Sequence, residues 1–92
     1  MVITRINEFS ARSGKEIELA AFLSSILPYI RSCEGNTGCE LLQDENDPSH
    51  FLVMEKWTDK DAHQRSIENF PSDQMAAAMP LFRASPKGAW YK

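Results

Sequence analysis

The chain has 92 residues, of which 42% are hydrophobic and 25% are charged. Most domains have about 100–150 residues, so we expect residues 1–92 to form a single globular domain. The formal net charge of −3 does not favour nucleic acid or anionic lipid as a partner, because both attract basic surfaces. The longest weakly polar run, residues 75–82, is too short to cross a bilayer.

The two cysteines, Cys33 and Cys39, do not form a disulfide framework. They have no second cysteine pair and no nearby histidine at a zinc-site spacing, so we expect no metal. A Cys33–Cys39 bridge is one alternative, and two reduced thiols in a cytoplasmic protein is the interpretation we favour. Residues 1–9 also carry polar side chains where a secretion signal needs an apolar run.

The first half of the chain predicts a strand followed by a helix. Residues 2–11 carry apolar side chains on both parities, which is typical of a strand covered on both faces. Residues 13–16 (Ser-Gly-Lys-Glu) match a capping box, and apolar residues then recur at helical spacing up to Gly35. Pro28 has no backbone donor, so we expect a kink or an early end of the helix there.

The second half predicts a hairpin, two short helices and a last strand. Residues 38–43 and 50–57 read as strands joined by a polar turn. Residues 58–61 open a short helix, a further one spans residues 71–80, and residues 87–91 form the last strand. The order of these elements is that of an α+β, ferredoxin-like split β-α-β-β-α-β fold.

The helices of that fold cover one face of the sheet and leave the other face bare. The third strand alternates Phe51 and Val53 with Leu52 and Met54, so both of its faces are apolar. An uncovered apolar sheet face usually marks a protein–protein surface. We therefore predict a two-fold homodimer that packs through its sheet faces.

Five segments together resemble one protein family. They are residues 12–16 (Arg-Ser-Gly-Lys-Glu), 30–35 (Ile-Arg-Ser-Cys-Glu-Gly), 40–44 (Glu-Leu-Leu-Gln-Asp), 46–48 (Asn-Asp-Pro) and 55–57 (Glu-Lys-Trp). Over nearly its whole length the chain is similar to the antibiotic biosynthesis monooxygenase domain family, which includes quinol monooxygenases and haem-degrading monooxygenases. The resemblance implies a dimeric α/β barrel with a pocket between the sheet and the helices of each subunit.

The resemblance also implies a cofactor-independent monooxygenase that acts on a quinol-like or polycyclic phenolic substrate, with molecular oxygen as co-substrate. The four glycines form no Gly-x-Gly-x-x-Gly run that would indicate a nucleotide cofactor. One alternative is a non-redox isomerase of a small polar, phosphorylated metabolite, and another is a non-catalytic dimeric ligand-binding module. Haem cleavage ranks lower, because the positions where relatives carry histidine hold Ser66 and Pro71.

Three residues are expected to be catalytic: Asn7, Trp57 and His63. Asn7 stands where haem-degrading relatives carry an asparagine and could bind a phenolate or carbonyl oxygen, unless it is a solvent-facing edge residue. Trp57 stands where the family carries a tryptophan and offers a flat wall and one N–H donor, unless it is a core residue. His63 does not match the family's usual position, so we expect a partly exposed side chain, although histidine is the natural base near neutral pH.

Three further residues are predicted to bind the substrate: Arg5, Glu55 and Met54. Arg5 and Glu55 could face each other across the sheet as an ion pair at the rim. Alternatively, Glu55 near an apolar pocket could have a raised pKa and act as a base. Met54 is either core filler or an adaptable wall for a flat ligand. A pocket dominated by Arg5, Glu55 and His63 would favour the isomerase alternative.

Overall fold

The computed structural model of the chain describes residues 2–92. Its elements are β1 (Ile3–Ser10), α1 (Glu16–Ser32), β2 (Asn36–Gln43), β3 (His50–Trp57), α2 (Lys60–Glu68), α3 (Ser72–Ala78), a 3₁₀ turn (Met79–Leu81) and β4 (Lys87–Tyr91). The strands form one antiparallel sheet in the order β2-β3-β1-β4. This topology confirms the predicted α+β, ferredoxin-like fold. The sheet of the single chain is open and is not a closed barrel.

One apolar stripe of α1 packs on the sheet. Its buried residues are Leu19, Leu23, Ile26 and Ile30. They recur at intervals of three and four residues and therefore lie on one side of the helix. One expectation was that the helix ends early at Pro28. The helix instead continues to Ser32. Pro28 and Ser24 are both exposed, so water can bond to the Ser24 carbonyl that Pro28 leaves without a donor.

The start of α1 differs from the predicted cap, whereas α2 begins with a capping side chain. The capping box at residues 13–16 is not formed, because α1 begins at Glu16 with no side-chain cap. The Gly14 N–H donates instead to the Glu16 carboxylate at 3.4 Å. In α2 the Asp59 carboxylate accepts from the Ala62 N–H at 2.8 Å and caps the helix.

The two faces of the sheet have different surroundings. The buried residues of β3 are Phe51, Val53, Glu55 and Trp57, which alternate along the strand and face the helices. The opposite face carries apolar residues on all four strands, with Glu8 opposite Leu52 and Glu40 opposite Met54. There Ile6 pairs with Met54 and Ala89, and Leu52 pairs with Leu42. We call these five residues the bare sheet face.

Three observations on residues 2–92 bear on the class of protein. Cys33 and Cys39 both carry free thiols, which is the alternative that we favoured. No three His, Cys, Asp or Glu side chains in this range are grouped so that they could hold a metal ion. None of its helices is long and apolar enough to cross a membrane.

The turn between α1 and β2 depends on Gly35. This residue has φ of +90°, a left-handed conformation that costs residues with a Cβ about 1–2 kcal/mol. A Cβ at Gly35 would lie 2.5 Å from the Cβ of Ala62, so the turn packs directly against α2. Gly14 also has a positive φ, of +83°, but a Cβ there would meet no other described atom within 4 Å.

Gly35→Ala should therefore destabilise the fold more than Gly14→Ala does. Gly14→Ala adds only the left-handed strain of about 1–2 kcal/mol, whereas Gly35→Ala adds a further 1–3 kcal/mol or so of overpacking. Denaturant unfolding at one protein concentration measures both losses. Equal losses would show that Gly35 does not pack against α2.

Candidate active site

A cavity of about 400 Å³ lies between the sheet and the helices. Its polar end is lined by Arg5, Asn7, Glu55, His63 and Ser66. Its largely apolar walls are formed by Phe9, Ile26, Ile30, Ile67, Phe70 and Met75, together with Tyr29, Glu68 and Ser72. A cavity of this size with a few convergent polar groups suits a small ligand with a largely apolar body.

The carboxylate of Glu55 is the centre of the polar end and is only 5% exposed. The Trp57 Nε1–H donates to its Oε1 at 2.8 Å, and the Asn7 Nδ2–H donates to its Oε2 at 3.0 Å. Glu55 and Trp57 are two residues apart on β3 and so share a face, and Asn7 is a diagonal neighbour on β1. Each carboxylate oxygen thus has one protein donor and keeps a second lone pair for a ligand.

Arg5 lies beside this carboxylate and is held by three neighbours. Its Nε–H donates to the Asn7 Oδ1 at 3.0 Å, and its guanidinium carbon lies 5.2 Å from the ring centre of Trp90. Gly88 leaves room for the guanidinium, because a Cβ there would overlap the Arg5 Nη2 and the Asn7 Oδ1. Within residues 2–92, no carboxylate forms an ion pair with Arg5.

His63 is buried, with 8% of its surface exposed, so the expectation of a partly exposed side chain was wrong. Its ring stands edge-to-face against Trp57 and Trp90, at 5.6 and 5.0 Å between ring centres. Its Nε2 lies 3.9 Å from the Glu55 Oε1, which is longer than a hydrogen bond. Burial, and then the charge of Arg5, lower the pKa of His63. The imidazole is therefore neutral at neutral pH, and its contact with Glu55 is not an ion pair.

Burial raises the pKa of Glu55. The hydrogen bond from Trp57 opposes this rise most, followed by the charge of Arg5 and the bond from Asn7. Glu55 therefore takes up a proton more readily than an exposed glutamate does. Its cross-strand partner on β2 is Cys39. Burial, and then the Glu55 carboxylate, raise the pKa of the Cys39 thiol to about 11, so this thiol stays protonated.

The six predicted site residues lie in three places: at the cavity, in the core and on the bare sheet face. Four of them line the cavity together: Arg5, Asn7, Glu55 and His63. Trp57 is completely buried, and its link to the cavity is the N–H that it donates to Glu55. Met54 lies on the bare sheet face opposite Ile6, because it precedes Glu55 on β3 and neighbouring strand residues point to opposite sides.

The two positions where relatives carry histidine have different surroundings. Ser66 lines the cavity, and its hydroxyl donates to the His63 carbonyl oxygen at 2.6 Å. Pro71 precedes α3 and is exposed. His63 and Ser66 are three residues apart and share a side of α2, so the imidazole enters the cavity one turn before that position. His50 lies in the hairpin, with its Nδ1 3.3 Å from the Asp44 carboxylate.

Sequence reasoning did not single out Trp90 and Gly88. Both are on β4, where Trp90 pairs with Arg5 and Gly88 pairs with Asn7. The signal in the sequence is a Gly-x-Trp alternation in the predicted last strand. It points to the cavity only when the register between β4 and β1 is known, since a shift by one residue would turn both to the other face.

Solved structures from several organisms share this fold. PA3566 from Pseudomonas aeruginosa superposes with a TM-score of 0.88 at 22% identity, over 99% of this chain and 93% of that chain. Rv0793 from Mycobacterium tuberculosis has a TM-score of 0.87 at 14% identity, over 100% and 94%. SnoaB, a cofactor-independent oxygenase from Streptomyces nogalater, has a TM-score of 0.82 at 18% identity, over 99% and 91%. No curated protein sequence matches the chain.

The fold and the cavity define a class of small α+β proteins with a ligand cavity between a four-stranded sheet and its helices. The family model described as antibiotic biosynthesis monooxygenase matches residues 2–80. The chain therefore belongs to the antibiotic biosynthesis monooxygenase family, as its resemblance predicted. Since one fold supports several reactions, the chemistry has to be argued from the cavity.

Glu55→Gln should change how the stability depends on pH. Folding raises the pKa of Glu55, so the stabilisation from its protonated form is complete below the unfolded-state pKa and is lost as the pH rises through the folded-state pKa. The free energy of unfolding of E55Q, relative to that of the unmodified protein, should thus increase from about pH 4 to neutral pH. Denaturant unfolding at several pH values measures this difference.

Glu45→Gln is a matched control, because Glu45 lies in the exposed hairpin loop and its substitution removes the same charge outside the cavity. Its stability difference should not follow that of E55Q. A constant difference between E55Q and the unmodified protein across the pH range would contradict a raised pKa at Glu55.

Proposed function

We propose that the protein is a cofactor-independent monooxygenase acting on a quinol-like or polycyclic phenolic substrate. The observation that carries the proposal is the cavity, in which largely apolar walls adjoin one polar end where Arg5, Asn7 and Glu55 meet. Oxygenation without a cofactor needs a substrate that becomes an electron-rich anion, and this end offers groups to form and hold one. The family membership and the shared fold with SnoaB support the proposal.

In the proposed reaction the substrate supplies the electrons. A ring CH₂, as in an anthrone, loses a proton, and the resulting anion reduces dioxygen and forms a carbon–oxygen bond to a hydroperoxide. The hydroperoxide carbon then loses its remaining hydrogen as the O–O bond breaks. One oxygen atom stays in the quinone carbonyl, and the other leaves as water.

The cavity residues take different roles in this proposal. Asn7 is a catalytic residue, because its amide still has one N–H free of Glu55 to meet a substrate oxygen. His63 is a neutral catalytic partner that can donate or accept one hydrogen bond. Trp57 acts through Glu55 and so positions the carboxylate. Met54 belongs to the bare sheet face and not to substrate binding.

Oxygen uptake with a panel of hydroquinones and anthrones should exceed the autoxidation blank. Asn7→Ala removes the amide that joins Glu55 to Arg5 and should lower kcat by roughly 10²–10³-fold, the usual loss for one preorganised donor. An oxygen electrode and anaerobic reactions measure this effect.

Asn46→Ala is the control, because Asn46 lies in the exposed hairpin loop, and it should keep full activity. Oxygen uptake that never exceeds the autoxidation blank would contradict the proposed monooxygenase activity. A ligand retained in native mass spectrometry without turnover would instead support the non-catalytic binding module.

The second candidate is the non-redox isomerase of a phosphorylated metabolite. Its predicted charged set, Arg5, Glu55 and His63, does line the cavity. The rest of the lining is largely apolar, and Tyr29, Glu68 and Ser72 are its further partners for the hydroxyl groups of a sugar. Isomerisation of a sugar phosphate without oxygen uptake would favour this candidate over the monooxygenase.

We also propose that two chains pack bare sheet face to bare sheet face as a homodimer, which would complete a dimeric α/β barrel. Ile6, Leu52 and Met54 are only partly buried in the single chain, and Leu42 is 41% exposed. A second copy would bury this patch and add to the small core that a chain of this length forms alone.

Met54→Asp should dissociate this dimer, because it places a charge at the centre of the bare sheet face. Sedimentation velocity measures the assembly, and activity should fall with it on dilution. Ile17→Asp is the matched control, since Ile17 is 86% exposed on α1. A protein that keeps its fold and activity as a monomer would contradict the proposed dependence on the dimer.

We place the protein in the cytoplasm. Two free thiols, one of them the partly exposed Cys33, suit a reducing compartment. The net charge of −3 supports a small molecule, and not nucleic acid, as the ligand.

A further inference from the structure

We propose that Glu55 is the general base of the reaction and that Arg5 binds the substrate anion that this proton transfer creates. The inference rests on the proposed function and deepens it, because it names the base and the charge of the bound intermediate. It concerns a pair that are direct cross-strand partners on β1 and β3.

The geometry around Glu55 suits a base. Its carboxylate lines the cavity, and its two oxygens are fixed by Trp57 at 2.8 Å and by Asn7 at 3.0 Å. Each of these two hydrogen bonds occupies one lone pair of a Glu55 carboxylate oxygen. The second lone pair of each oxygen is left to accept a substrate proton. A substrate in the cavity can thus approach a carboxylate that is already oriented.

His63 is less suited to this role. Its ring is enclosed edge-to-face by Trp57 and Trp90, and its Nε2 lies 3.9 Å from the Glu55 Oε1. A ring held in this way can help to position the neighbouring carboxyl group of Glu55. The carboxylate of Glu55, and not the imidazole, bears the two fixing hydrogen bonds.

Arg5 is aimed at the same space. Its Nε–H is used by Asn7, while Trp90 and Gly88 confine the guanidinium. Its remaining N–H donors have no carboxylate partner at ion-pair distance among residues 2–92. A guanidinium placed in this way can bind an anionic substrate oxygen.

The proton transfer leaves the total charge of the polar end unchanged. An O–H or C–H bond of the substrate breaks, an O–H bond forms on Glu55, and the electron pair stays on the substrate. The negative charge thereby moves from Glu55 to the substrate, and Arg5 neutralises it in both states. An uncompensated charge, which is costly in an apolar cavity, is never created.

Three titratable groups near Glu55, on β2, α2 and α1, are neutral at neutral pH. Cys39 faces it from β2 and His63 from α2, and burial favours the neutral form of both by raising the pKa of the thiol and lowering the pKa of the imidazole. Tyr29 lines the cavity from α1, and burial, followed by Cys33, raises the pKa of its hydroxyl. Glu68 also lines the cavity from α2, and Arg5 is the one cationic side chain among the lining residues.

The first test compares Glu55→Gln with the unmodified protein. The substitution should lower kcat by about 10²-fold or more, since it removes the base, and should abolish the rise of the rate with pH that the base causes. It should also bind 4-nitrophenolate, an anion that dioxygen does not oxidise, more tightly. The neutral amide imitates protonated Glu55 and leaves the charge of Arg5 for the ligand. A carboxylate with only a structural role would predict weaker binding.

The second test removes the anion site. Arg5→Gln should weaken the binding of 4-nitrophenolate, measured by its visible absorption, and should leave the binding of the neutral 4-nitroanisole unchanged. Glu45→Gln is the control for the loss of one carboxylate and should bind both compounds as the unmodified protein does. Equal losses for the two ligands in R5Q would overturn the role of Arg5.

The outcomes separate this inference from the proposed function. If E55Q keeps its kcat, or loses it while binding the anion no more tightly, Glu55 is not the base. If E55Q does not fold, Glu55→Asp retains a carboxylate and should keep the rise of the rate with pH at a lower kcat; loss of that rise overturns the inference. If the unmodified protein consumes no oxygen but the variants change anion binding as predicted, the monooxygenase and the role of Glu55 as its base fail together, and Arg5 stands as an anion site.

Discussion

The burial of one carboxylate governs the arrangement of the cavity. Glu55 occupies a position on β3 where the neighbours on the same face, Val53 and Trp57, are core residues. A carboxylate removed from water needs hydrogen bonds or a counter-charge, since each ion otherwise loses several kcal/mol of solvation. The indole of Trp57 supplies one hydrogen bond, and Asn7 supplies the other from across the sheet. The same two hydrogen bonds therefore compensate the buried carboxylate and orient it in the cavity.

From this carboxylate a continuous set of contacts crosses three strands. Asn7 on β1 bonds to Glu55 on β3 and to Arg5, and Arg5 lies against Gly88 and Trp90 on β4. These contacts exist only in one strand register, because a slip by one residue would turn the β4 side chains to the bare sheet face. The short edge strand β4 thus positions Arg5 at the cavity through Gly88 and Trp90.

The order of the elements could be predicted from the sequence, and so could the bounds of β3 and β4, because alternation and turn residues are local signals. The side of the sheet that a residue faces could not be predicted. Both parities of β3 are apolar, so the pattern did not decide whether Met54 or Glu55 faces the helices. The burial of His63 was missed for a related reason, since it depends on Trp57 and Trp90, which only the folded chain brings to α2.

Gly88 and Arg5 occupy a shared volume, because the guanidinium lies where a side chain at the glycine would begin. Any larger residue at that place on β4 would push the guanidinium out of its position beside Asn7. A cavity with such a residue would have to take a positive charge at this end from another element. The identities of the two residues are therefore physically coupled, since the absence of a side chain at Gly88 gives the guanidinium its place at the polar end of the cavity.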